Sequence, residues 1–168
     1  MNNPEQIEQL LRRRSHPALP RHFVLPAYGD HSIANVAPTA ASMLGVTPEG
    51  AAPTLPGALW EPVADHVECV ILLILDAVGY RQLETYLNGE ESVFSRLRDA
   101  GLLIPLTSVF PSTTVTGLTS IWTGQPPLGH GFLGTRLLLP KQGLLANLLR
   151  MAPAAWGGGG RLKDWGWD

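Results

Sequence analysis

The apolar positions of this chain change their period several times. Over residues 5–14 (EQIEQLLRRR), Ile7, Leu10 and Leu11 recur at helical spacing, with acids early and bases late, the order that suits a helix dipole. A short helix is predicted there, with a solvated outer face that includes Arg12, Arg13 and Arg14. The next stretch, 15–62, is dense in proline and glycine; within it residues 32–44 predict one helix, stopped by Gly45. Residues 68–75 (ECVILLIL) are then apolar on both faces, which is the pattern of a central strand in a parallel sheet. Helices are predicted over 79–87 and 92–100, the second capped by Ser92 and closed by Gly101. Residues 102–109 (LLIPLTSV) read as a second strand and lead into a hydroxyl-rich helix start. After a turn-rich loop at 125–131 (QPPLGHG), residues 137–139 suggest a strand and 144–149 a helix.

That order, β–α–β–α, predicts an α/β fold whose sheet is at least partly parallel with right-handed crossovers. One domain is expected: an N-terminal wrap over 1–67, the sheet and hydroxyl-bearing helix over 68–150, and a flexible tail over 151–168. Two strands buried on both faces would leave apolar edges and faces bare, so the sequence reads as the N-terminal part of a larger protein.

Composition narrows the function without naming it. The chain has 168 residues, 45% of them hydrophobic and 15% charged, with a net charge of −2, and so shows no basic footprint for a nucleic acid. The longest apolar run, 70–75, is far too short for a membrane span, and the N-terminus has no signal-like segment. A soluble, cytoplasmic protein without a membrane partner is expected. The single cysteine, Cys69, reads as a small buried hydrophobe and excludes an intrachain disulfide. Trp122, Trp156, Trp165 and Trp167 read as packing or interface residues, not base-stacking platforms.

Chemistry concentrates at two points. Asp76 ends the first predicted strand, and residues 110–124 (FPSTTVTGLTSIWTG) crowd hydroxyls at a helix start just after the second. Strand ends are where ligands gather in open α/β sheets. A carboxylate there supplies a hard anionic ligand to a divalent metal, and a metal can stabilise the alkoxide of a Ser or Thr otherwise too weakly acidic to attack. The helix start adds unpaired N–H groups that suit a phosphate. The residues alone leave Ser112, Thr113, Thr114 and Thr116 open as the reactive hydroxyl, and also allow plain capping. His130 reads as structural, orienting backbone through its ring nitrogens. The adjacent pairs Asp30–His31 and Asp65–His66 are not expected to bind metal.

Residues 75–79 (LDAVG), 110–114 (FPSTT), 118–124 (LTSIWTG), Pro127 and His130-Gly131 together resemble the type I phosphodiesterase/nucleotide pyrophosphatase family of the alkaline phosphatase superfamily, in letters and in spacing. The resemblance spans about residues 70–136. It implies a three-layer α/β/α sandwich and a metal-dependent phosphoric ester hydrolase acting on a small phosphate ester. It further implies two divalent metals, zinc as a rule, with Asp76 as a metal ligand. Thr114 would be both the nucleophile and a metal ligand, and the Val115 N–H would hold a phosphoryl oxygen. Thr135 stands where nucleotide-specific members carry asparagine. The further Asp and His ligands of the family have no counterpart before Asp168. The alternative expectation is therefore an inactive, truncated or partner-binding relative without a complete metal site.

Overall fold

The computed structural model describes residues 3–87, 92–154 and 160–167. Helix α1 (Pro4–Arg12) opens with Asn3, whose side chain accepts from the Glu5 amide, and it buries Ile7 and Leu11. Those two residues pack with Ala27 against Leu59 and Ile104, forming one of two small apolar cores among the described residues. A 3-10 turn (Ile33–Asn35) leads into α2 (Val36–Met43), and α3 (Gly57–Trp60) follows.

Hydrogen bonds organise the region before residue 60 as much as apolar burial does. Asn35, fully buried, accepts from the Ser32 amide and donates to the carbonyls of Tyr28 and Pro53. Thr39 donates to the Asn35 carbonyl and accepts from the Leu55 amide. Thr107 Oγ1 accepts from the Ala27 amide and donates to the His31 carbonyl, beside a parallel bridge between Ser32 and Thr107. Buried backbone groups thus find partners in a stretch with little regular structure.

Helices α4 (Tyr80–Leu87) and α5 (Val93–Ala100) lie where the apolar spacing predicts them, and Ser92 with Ser95 closes a reciprocal cap on α5. Helix α6 (Thr114–Thr123) is capped by Thr113 and ends on Gly124 in the left-handed conformation. The short α7 (Pro127–His130) follows. The second core packs Val115 of α6 with Leu139, Ala146, Leu148 and Leu162. It lies beside an antiparallel meander of β1 (Arg136–Leu139), β2 (Leu144–Asn147) and β3 (Ala152–Pro153).

The fold is mixed helix and sheet, as expected of an α/β chain, but of the predicted strands only 137–139 forms one, as part of β1. Residues 68–75 join no ladder, and Ile71 and Leu73 are 89% and 78% exposed. Residues 102–109 contribute only the bridge at Thr107. The sheet among the described residues is antiparallel throughout, because strands joined by short turns pair with their sequence neighbours. Residues 144–147 form a strand and not a helix: Gly143, at φ +63°, reverses the chain so that Leu144 pairs with Leu139. Cys69 is exposed, because the strand meant to bury it has no neighbour. The tail is also more structured than expected. It supplies β3 and a 3-10 turn (Leu162–Trp165) whose Leu162 is buried in the second core; residues 155–159, with Trp156, lie outside the described set. Of the other tryptophans, Trp122 is exposed and Trp167 packs on Phe132.

Candidate active site

Helix α6 and its lead-in gather the hydroxyls, and hydrogen bonding sorts them. Thr113 Oγ1 accepts from the Thr116 amide, and its oxygen lies 2.9 Å from Thr116 Oγ1. Thr119 and Thr123 donate to carbonyls one turn earlier, those of Val115 and Thr119. Ser120 Oγ lies 2.9 Å from His130 Nε2. Among the described residues, only Ser112 and Thr114 of this run keep hydroxyls with no hydrogen bond, and both are exposed. Thr114 is the first residue of α6, where first-turn amides such as that of Val115 have no carbonyl a turn earlier in the helix to bond.

Asp76 is exposed at the end of the unpaired 68–75 segment, and its Oδ1 accepts from the Ala77 amide at 2.8 Å. Ala77 sits at φ +61°, a left-handed turn that redirects the chain toward α4. A cleft of about 570 Å³ lies between the segments that carry the two residues. Its walls include Gly79, Tyr80 and Arg81, just after Asp76, and Ser108, Phe110 and Ser112, just before Thr114. Neither Asp76 nor Thr114 lines it.

Charge at the rim of this cleft comes from three side chains. Glu8 bonds Arg12 at 2.7 Å and also meets Arg81 at 3.4 Å, tying α1 to the helix that follows Asp76. The Arg12 hydrogen bond, helped by both arginine charges, holds the Glu8 carboxyl below its usual range. Burial, with a Glu84 hydrogen bond, pushes the Tyr80 phenol up to about 12, so at neutral pH it keeps its proton. The Glu8–Arg12 spacing of four residues was visible in the sequence; the reach from Glu8 to Arg81 was not, since it depends on how two helices pack.

His130 uses both ring nitrogens, as its structural reading expects. Nδ1 accepts from the Phe132 amide at 3.0 Å, which leaves Nε2 to carry the proton and donate to Ser120. Burial holds its pKa below the ordinary imidazole value. This bond anchors α7 to α6. His31 is buried beside Asp30, with its Nδ1 3.2 Å from the carboxylate, whereas Asp65 and His66 are exposed.

The donor set present does not by itself fit a two-metal centre. Among the described residues no three His, Cys, Asp or Glu side chains come together as a metal cluster. A lone Asp76 and Thr114 fall short of the three or four protein ligands zinc ordinarily takes. No helix among the described residues is long and apolar enough to cross a membrane.

Comparison with known proteins brings one match. A family model described as type I phosphodiesterase / nucleotide pyrophosphatase matches residues 70–167, a span that holds Asp76, Thr114 and His130. No curated protein and no solved structure matches the chain.

Proposed function

The chain belongs to the type I phosphodiesterase/nucleotide pyrophosphatase family, and from that premise we propose that it serves phosphoric diester hydrolysis with Thr114 as the nucleophile. The family match across the α6 lead-in carries this reading. The free Thr114 hydroxyl supports it, since Thr113 and Thr116, the other threonines of the first turn, are already engaged with each other.

Thr114 Oγ1 attacks phosphorus, forming a threonine phosphodiester that keeps one ester arm while the bond to the leaving oxygen breaks; the hydroxyl proton ends on the departing alcohol. The N-terminal end of α6 faces the charge that builds on the phosphoryl oxygens, with the Val115 amide as the nearest donor. Water then attacks phosphorus and restores the hydroxyl. Members of this family are generally metal-dependent, and Asp76 is the carboxylate of this chain we assign to a divalent cation, with Thr114 its second ligand and zinc the ion. Because these two groups alone do not complete such a site, no step here is routed through the ion. The substrate is a small phosphate ester.

The test is hydrolysis of bis-p-nitrophenyl phosphate. Thr114→Ala is expected to lower kcat at least about a thousandfold, whereas Ser112→Ala stays within a few fold. Unchanged turnover in Thr114→Ala would remove Thr114 from the mechanism.

A further inference from the structure

A smaller pocket of about 270 Å³ lies on α1, lined by Gln6, Ile7, Gln9, Leu10, Arg13 and His31. It falls below the usual range for drug-sized ligands, so its occupant is small. It also lies outside residues 70–167, the span the family model matches. Glu8, Leu11 and Arg12 of the same helix line the larger cleft, so α1 contributes to both.

His31 is held firmly in this pocket and its ring is left unpaired. Its amide donates to the Ala27 carbonyl at 2.9 Å, and its carbonyl accepts from the Thr107 amide at 2.8 Å and the Thr107 hydroxyl at 3.1 Å. The side chain is 9% exposed, and Nδ1 is sealed from solvent without a hydrogen bond. Asp30 Oδ1 lies 3.2 Å from that nitrogen, off the line of a bond but close enough for its charge to favour the tautomer with the proton on Nδ1. Nε2 then presents a lone pair. It makes no hydrogen bond among the described residues and is not sealed, so it is the ring nitrogen open to an occupant.

Arg13 sets the other requirement. It is exposed, has no ion pair among the described residues and offers only donors, while Gln6 and Gln9 add amide groups and no acidic side chain lines the pocket. The occupant therefore brings an anionic oxygen for Arg13 and a proton for Nε2. We propose, independently of the reading of Thr114, that this pocket binds the hydrogen phosphate ion. One oxygen accepts from the Arg13 guanidinium, the P–O–H donates to His31 Nε2, and the glutamine amides meet the remaining oxygens. Sulfate has the same shape but no proton, so it would set an oxygen lone pair against that of Nε2. A phosphate monoester sheds its second proton at about pH 6 and meets the same obstacle above neutral pH.

The experiment uses the full chain with ¹⁵N- and ¹³C-labelled histidine rings at constant ionic strength and about pH 8, where the monoester is a dianion. It is titrated with phosphate, sulfate and methyl phosphate. Phosphate is expected to shift the His31 ring signals saturably, with sulfate and methyl phosphate at least about tenfold weaker. His130, bonded through both ring nitrogens, reports that the fold is intact, and His22, in the larger cleft, reports phosphate bound there instead. Arg13→Ala, at an exposed position, should weaken phosphate binding about tenfold, and Arg13→Lys should restore part of it. The proposal is overturned if phosphate leaves His31 unmoved or moves His22 alone, if sulfate or methyl phosphate binds as tightly, or if Arg13→Ala leaves the affinity unchanged.

Discussion

At the level of single residues, hydrogen bonding along the hydroxyl run leaves Ser112 and Thr114 unengaged. Seven Ser and Thr side chains lie between residues 112 and 123, and five of them spend their oxygens on caps, carbonyls or His130. His130 in turn predicts a pH dependence. Its folded-state pKa is depressed by burial, so the unfolded chain takes up its proton first. The stability it contributes is complete above the ordinary imidazole value of about 6.5 and is lost as pH falls through the lower folded value. Thermal unfolding followed from pH 7.5 to pH 5 should show a falling Tm, and His130→Gln should flatten that slope; an unchanged slope would detach His130 from the effect. The sequence singled out Thr114 among these hydroxyls only by motif. Which threonines are occupied depends on α6 dihedrals and on α7 folding back, and neither is written in local spacing.

Among the elements, most helices were legible, but of the strands only the one at 137–139 was, for a physical reason. A helix satisfies its backbone within its own span, so apolar period, Ser92 as cap and Gly101 as stop suffice to place α5. A strand exists only with a neighbour. Residues 68–75 have the composition of a buried strand and no ladder, whereas the short leucine runs 137–139 and 144–147 find each other across a tight turn. The terminus of α6 offers a direct check. A Cβ on Gly124 would stand 2.8 Å from Pro38 Cγ, at φ +65°. Gly124→Ala is therefore expected to cost about 2 kcal/mol or more, from left-handed strain and overpacking against α2. Urea unfolding measures it; a loss under about 0.5 kcal/mol would mean the α2–α6 contact yields freely.

For the molecule as a whole, two small cores and a polar N-terminal framework leave much apolar surface uncovered. Ile71, Leu73 and Leu75 are at least half exposed on an extended segment, the arrangement that invites edge-to-edge association. The apparent mass from light scattering should rise with concentration, and Ile71→Lys should reduce that rise; an apparent mass indifferent to the substitution would place the association elsewhere. Family membership was legible from motif spacing, and a mix of helix and sheet from the apolar periods, while the pairing of segments far apart in the chain was not. Asn35 shows what such distant pairing entails. One planar amide, with its oxygen toward Ser32 and its nitrogen toward Tyr28 and Pro53, makes three backbone stretches depend on a single donor–acceptor orientation. Exchanging that nitrogen for oxygen would set like partial charges against two carbonyls at once, so the stretches would part in concert and not one at a time.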